Sequence, residues 1–169
     1  MNVRLAEPGD APALVALAKA VSAEPEGWMI STDWRSVGEE RRFLRAVRRH
    51  PDAAVLVAEL EGVLVGRLSL ARDQHPASSH VADLGLMVDA RFRRRGIGTA
   101  LLAGAVEWAR EHGVTKLELH VFPWNEAAIK LYESFGFERE GYRKGHYLRD
   151  GGLADAILMA LRLDRTDLS

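Results

Sequence analysis

The 169-residue chain predicts a mixed α/β (α+β) domain with a largely antiparallel central sheet of about seven strands and about four helices. Three observations carry this. Two β-branched apolar runs, Ala53 to Leu60 and Val63 to Ala71, are split only by Glu61-Gly62, which reads as a tight hairpin. A further apolar run, Val81 to Val88, is followed by a basic, glycine-containing turn and a 3.6-period segment, Ile97 to His112, so a crossover helix links two strands. The chain closes with two strand-like runs, Phe137 to Leu148 and Leu153 to Leu163, around the turn Arg149-Asp150-Gly151-Gly152.

The remaining elements follow in order. Val3 to Ala6 reads as a short strand ending at Glu7-Pro8-Gly9-Asp10, with Asp10 placed to cap a helix that carries Leu14, Leu17, Ala18 and Val21 at helical spacing. Ser22 to Asp33 breaks that pattern yet holds Trp28 and Met29, with Trp34 just after, so it is either a packed connector or the wall of an acceptor pocket. Ser36-Val37-Gly38-Glu39 matches a capping box, and Phe43 and Val47 lie four apart after it, which predicts a helix to about His50 with a solvated arginine face. Asp73 to Ser79 is turn-like; Gly113 stops the crossover helix at its C′ position, and Lys116 to Phe122 is a strand. Asn125 caps a helix, Glu126 to Phe135, that Gly136 terminates. There is no repeat, low-complexity tract or linker, so residues 1–169 are expected to form a single domain.

Composition narrows the function classes. With 47% hydrophobic residues and a formal net charge of −1, the chain has the makings of one core and no global electrostatic footprint for nucleic acid or an anionic membrane. Cysteine is absent, which excludes disulfides, thiolate metal sites and a covalent cysteine intermediate. Met1 to Asp10 has no apolar signal-like region and no apolar run approaches bilayer length, so a cytoplasmic location is expected.

Arg93-Arg94-Arg95-Gly96-Ile97-Gly98-Thr99, between strand and helix, has the parts of a diphosphate cradle. A helix start offers unpaired N–H groups and partial positive charge, the glycines admit close backbone approach, and the arginines supply charge-assisted donors. A solvated arginine-rich turn would look the same in isolation. A Walker loop is excluded because no Lys precedes Thr99, and a dinucleotide fingerprint because Leu101 stands where its third glycine belongs.

Arg-x-x-Gly-x-Gly at Arg93 to Gly98 resembles the pyrophosphate motif of the GNAT superfamily of N-acetyltransferases. Asn125-Glu126-Ala127-Ala128-Ile129-Lys130-Leu131-Tyr132-Glu133-Ser134-Phe135-Gly136-Phe137 resembles that superfamily's second signature at every fixed position and begins 29 residues after Gly96. His80 to Gly85, and Leu153 to Ala156 with Met159, are similar to bacterial L-amino-acid N-acetyltransferases.

The resemblance implies a GNAT fold with two strands, Val81 to Val88 and Lys116 to Phe122, splayed at an acetyl-CoA site. It implies main-chain contacts from Leu86, Met87 and Val88, and cofactor contacts from Arg93, Arg94, Arg95, Gly96, Ile97, Gly98, Thr99, Asn125, Ala128 and Tyr132. Tyr132 matches the tyrosine that protonates the departing thiolate, although Ala128, Leu131 and Phe135 make an apolar face on which it could simply pack. Asp83, a carboxylate in an apolar strand, is the candidate base or else a group bonded to local backbone or an arginine; Glu118 and His120 are lesser candidates.

Trp28, Met29, Trp34 and His120 are the candidate acceptor-binding residues. No metal is expected, since nothing stands at a chelating spacing from His120. The implied activity is acetyl-CoA-dependent transfer, by direct attack and with no covalent enzyme intermediate, to the primary amine of a small substrate such as a free L-amino acid. Modification of a protein N-terminus of the ribosomal type, and a non-catalytic CoA-binding sensor or interaction module, are the alternatives. The implied partners are acetyl-CoA and a small amine, without nucleic acid or membrane, and a homodimer is left open.

Overall fold

The computed structural model describes residues 1–31 and 33–163; Thr32, inside the predicted 22–33 loop, and 164–169, the end of the predicted domain, lie outside the described residues. Seven strands, β1 (Asn2–Leu5), β2 (Ala53–Leu60), β3 (Val63–Arg72), β4 (Val81–Val88), β5 (Lys116–Val121), β6 (Glu138–Arg149) and β7 (Gly152–Arg162), form one sheet in the order β1-β2-β3-β4-β5-β7-β6. The helices are α1 (Ala11–Ser22), α2 (Val37–Arg49), α3 (Ile97–Glu111) and α4 (Glu126–Phe135). Every neighbouring pair of strands is antiparallel except β4 and β5, which α3 joins as a crossover.

Local chemistry accounts for the elements. Glu61 and Gly62 both have positive φ, 51° and 79°, as a two-residue hairpin turn of the strand-twisting type requires. The Ser36 hydroxyl accepts from the Glu39 N–H at 3.2 Å, which is half of the expected capping box; no return bond from the Glu39 side chain forms among the described residues. Asp10 differs from expectation. It is the third residue of a short 3₁₀ turn, Pro8 to Asp10, so its carboxylate accepts from the Glu7 N–H at 2.7 Å and from Arg4 at 2.8 and 2.9 Å, and does not cap α1. β1 begins and ends one residue earlier than the apolar pattern indicated, although the Ala6 N–H still reaches the Val55 carbonyl at 2.8 Å.

Strand alternation divides the core. Leu56, Leu68, Leu84, Leu117 and Leu119 face α3 and α4, where Ile97, Leu101, Leu102, Ala105, Ile129 and Tyr132 cover them. Val55 and Val57 face α1 and α2 with Leu14 and Leu44, and Met87 joins Leu17, Ala18 and Val21 on the same side. Each buried Val, Leu, Ile or Met side chain among these contributes about 1.5–3 kcal/mol of transfer free energy. Asp83 and Gly85 alternate with Leu84 and Leu86 and therefore belong to the α1/α2 face, and the β3–β4 register runs without a shift from Arg72↔Ala82 to Gly66↔Val88.

Candidate active site

The site begins where the sheet parts. β4 and β5 pair only at Val81↔Lys116, Ala82↔Leu117 and Asp83↔Glu118, after which β4 stays with β3 to Val88 while β5 stays with β7 to Val121. The two strands thus splay from Leu84 onward, as expected. The Asp89 N–H donates to the Val65 carbonyl at 2.9 Å and the Val81 carbonyl accepts from Asp73 at 2.9 Å, so odd-numbered residues of β4 direct their backbone groups toward β3. By alternation Leu84, Leu86 and Val88 direct theirs into the gap. The Val88 carbonyl is partly occupied, accepting from Arg93 Nε and Nη2 at 3.2 and 3.1 Å.

A cleft of about 1540 Å³ runs through the gap from the Arg93–Thr99 turn to the α1/α2 face. At the turn, Arg94 and Gly96 have positive φ, 61° and 78°, and Gly96 caps α3. The N–H groups of Ile97, Gly98 and Thr99 precede the first intrahelical bond, from the Ala100 N–H to the Gly96 carbonyl at 3.0 Å, and so point outward unpaired by the helix. A Cβ on Gly96 would meet nothing within 4 Å, but its φ is one that L side chains rarely adopt.

Gly98 has a different reason to be glycine: a Cβ there would lie 2.7 Å from Leu131 Cδ2, so its first consequence is the packing of α3 on α4. The arginines also divide. Arg93 forms a two-pronged ion pair with Glu24 at 2.5 and 2.7 Å in addition to its bonds to Val88, so its guanidinium is a strap between loop and strand and not an unspent anion donor. Arg95 lies over the Phe92 ring at 5.4 Å, away from the cleft lining, and Arg94 lines the cleft. Asn125 caps α4 by accepting from the Ala128 N–H at 3.3 Å.

Two groups with displaced proton affinities face the gap from opposite sides of the sheet. Tyr132, 6% exposed, packs its ring 5.7 Å from Phe137, and its hydroxyl makes no hydrogen bond among the described residues. Burial pushes the phenol up, so it stays protonated across the neutral range. Asp83 is open to the water of the cleft, yet the protein around it holds solvent back. Burial, helped by the charge of Glu118, pushes its carboxyl up to about 6. Neither backbone nor arginine bonds to Asp83 among the described residues, so that alternative for its presence finds no partner.

β5 alternation places Glu118 and His120 beside Asp83, and a register shift in β6 between Arg143 and Tyr147 turns Tyr147 toward them. The Tyr147 hydroxyl lies 2.5 Å from His120 Nδ1. Burial, with Arg143 and His146, lowers the His120 pKa; burial and the charge of Asp83 raise that of Tyr147.

Trp28, Met29 and Trp34 close this side. They line the cleft, and the chain at Glu26 and Met29 is anchored from β6 and the β5–α4 link: Arg149 donates to the Met29 carbonyl at 2.7 Å and Trp124 to the Glu26 carbonyl at 3.0 Å. Tyr147, Arg143, Arg149, Glu24, Arg67 and Glu40 are the residues of this region that sequence patterning did not single out. A signal existed for two of them. Glu40 falls on the Val37, Leu44, Val47 stripe of α2, and Arg67 interrupts the apolar run of β3. Among the described residues no group of three or more His, Asp or Glu could hold a metal ion, and no helix is long and apolar enough to cross a membrane.

A family model described as the acetyltransferase (GNAT) family matches residues 16–137. The L-amino acid N-acetyltransferase AaaT of Escherichia coli is 43% identical over 114 residues, which covers 65% of this chain and 68% of that protein. The ribosomal protein bS18-alanine N-acetyltransferase of Escherichia coli is 42% identical over 76 residues, 45% of this chain and 51% of that enzyme. Among solved structures, an acetyltransferase of the GNAT family from Streptococcus pneumoniae superposes with a TM-score of 0.85 at 33% identity, covering 95% of this chain and 98% of that one. A glycine turn feeding a helix at the mouth of two splayed strands, and a family model that spans most of the chain, agree that this protein belongs to the acetyltransferase (GNAT) family.

Proposed function

We propose that the protein is an acetyl-CoA-dependent N-acetyltransferase whose acceptor is the primary amine of a free L-amino acid. The observation that carries the reading is the placement of Asp83 and Tyr132 on opposite sides of one gap, a carboxyl raised to about 6 on one face and a protonated phenol on the other. Acyl transfer from a thioester to an amine needs these two proton functions at its two ends. The Ile97, Gly98 and Thr99 N–H groups suit the pyrophosphate, and the gap-facing backbone of Leu86 suits the pantetheine and the thioester oxygen.

Asp83, directly or through water, takes a proton from the acceptor ammonium. The amine nitrogen then attacks the thioester carbon, forming the N–C bond, while the Leu86 N–H stabilises the oxyanion. On collapse the C–S bond breaks, the Tyr132 hydroxyl gives its proton to the departing sulfur, and the second proton on the attacking nitrogen passes through water to the Tyr132 phenolate, so that thiol and neutral amide leave and only the proton held by Asp83 is released to solvent. No enzyme nucleophile is required, in keeping with a chain that has no cysteine.

Likeness to AaaT favours a free amino acid, while the ribosomal-protein enzyme supports protein N-termini as the second reading. Release of the CoA thiol from acetyl-CoA should be measured with L-amino acids, polyamines, aminoglycosides and a peptide with an N-terminal alanine. The fastest release is expected with an L-amino acid. Release with the peptide alone would select the second reading, and silence across the panel despite CoA binding would make the protein a binding module.

A further inference from the structure

Two rows along the sheet from Asp83, on the same α1/α2 face, β3 carries a buried arginine. Arg67 is 5% exposed, opposite Met87 on β4 and Val57 on β2, and lines the cleft. The carboxylate nearest to it belongs to Glu40 of α2, itself fully buried. Glu40 Oε2 accepts from Arg35 Nη1 at 2.7 Å, and Oε1 stands 4.0 Å from Arg67 Nη2, too far for a hydrogen bond. Arg67 therefore makes no hydrogen bond among the described residues, and its Nε and the Nε1 of Trp34 are both covered and unpaired. The guanidinium lies 5.0 Å over the Trp34 ring.

Two guanidinium groups against one carboxylate leave this cluster with a formal charge of +1; Asp33 also lines the cleft but pairs with neither arginine. Burial lowers the Arg67 pKa to about 10, so it remains a cation at neutral pH. A buried cation short of acceptors is costly to keep, and a site that holds one is ready for an anion.

The floor between Arg67 and Asp83 is bare. The intervening row is Ser69 opposite Gly85, and the next is Ala71 opposite Asp83. The Arg67 and Asp83 rows are four residues apart, about 13 Å along the strands, a span that an arginine side chain and a small zwitterion fill together. One end of this floor attracts an ammonium group and the other a carboxylate.

We propose that Arg67, with Trp34 beside it, receives the α-carboxylate of the acceptor and thereby selects free amino acids over peptide N-termini. The first residue of a peptide has an amide in place of that carboxylate and cannot satisfy the cation. The proposal rests on the amino-acid reading given above, and its test separates the two.

For the L-amino acid that the wild-type enzyme acetylates fastest, kcat/KM is compared with that for its carboxamide and for the corresponding amine lacking the carboxyl group. The acid should be preferred by about tenfold or more over both. Arg67→Gln should remove the preference by raising KM for the acid while leaving the amide little changed, and Arg67→Lys should restore part of it. Wild-type enzyme that uses the amide as well as the acid overturns the proposal, as does an Arg67→Gln protein that loses activity equally on all three. Both of those outcomes leave amine acetylation standing. Failure to acetylate any amine overturns the reading beneath it and the proposal together. The wild-type comparison needs no variant, and Trp34→Phe, which removes one N–H, gives a second test if Arg67→Gln does not fold: the acid should lose preference and the amide should not.

Discussion

Tyr132→Phe removes a single oxygen, and the structure sets two opposite expectations for it. In the resting protein the hydroxyl has no hydrogen-bond partner among the described residues, and the residue is 6% exposed. The hydroxyl is not among the covered, unpaired polar atoms and Tyr132 lines the cleft, where water can bond it, so deleting it should change stability by less than about 1 kcal/mol, within about 2–4 °C in Tm for a chain of this size. The ring contact with Phe137 at 5.7 Å is kept. In the proposed mechanism the same hydroxyl protonates the departing sulfur in the transition state. General acids contribute on the order of 10²–10⁴ in rate, and a CoA thiolate leaves readily enough to put the loss near 10².

Turnover should therefore fall while stability holds and the Kd for acetyl-CoA stays the same, since the lost interaction belongs to the transition state. Thermal unfolding, a calorimetric acetyl-CoA titration and steady-state kinetics at saturating amine read the three quantities. Equal turnover in the variant and wild type would refute the acid role and leave Tyr132 as packing. A Tm lower by many degrees would show that the hydroxyl does make a structural bond.

Other perturbations follow from particular contacts. Gly98→Val places side-chain carbon where Leu131 already stands, within 2.7 Å, so overpacking of about 1–3 kcal/mol and weaker CoA binding are expected together by calorimetry and thermal unfolding. Gly96→Val, at φ 78° with open space around it, should cost about 1–2 kcal/mol of backbone strain and also weaken CoA binding; unchanged affinity in either folded variant would remove the turn from the site. Glu24→Gln, at a residue that makes no contact expected of a cofactor ligand, should still raise KM for acetyl-CoA because it slackens the Arg93 strap to Val88. For Asp83→Asn the sign runs against ordinary carboxylates. The wild-type fold gains from neutral Asp83 fully below its ordinary value of 3.8 and loses that gain as pH rises through about 6, so the variant should gain Tm relative to wild type at pH 8 and not at pH 4. Its kcat/KM should lose the inflection near pH 6, and an unaltered profile would return Asp83 to a structural role.

Much of this was legible in local pattern. The β2, β4 and α4 limits coincide with the apolar runs and with the Asn125 and Gly136 signals because those cues are short-range and unopposed. Asp10 misled because a cap and the third residue of a 3₁₀ turn share the same Asp, and only the bonds to Glu7 and Arg4 separate them. Arg93 lines the cleft as the turn motif indicates, but its ion pair with Glu24, 69 positions away, is a long-range contact that composition does not show. Gly98 answers to two neighbours: it lines the cleft, as the turn motif indicates, and it also packs against Leu131 of the next helix, which no local pattern announces. The Tyr147–His120 contact depends on a strand irregularity in β6 that no periodicity announces. Arg67 and Glu40 were the recoverable omission, since a charge on an apolar stripe is itself a cue.

Acetyl transfer to free amino acids is read most directly by a competition followed by mass spectrometry. The protein is incubated with acetyl-CoA, an equimolar mixture of the twenty L-amino acids, and a peptide with an N-terminal alanine. One or a few N-acetyl-L-amino acids should accumulate with equimolar release of CoA, while the peptide stays unmodified and the protein carries no acetyl group. Acetylated peptide in the absence of acetylated amino acid would rule out a free amino acid as the acceptor, and an acetyl group retained on the protein would rule out direct attack.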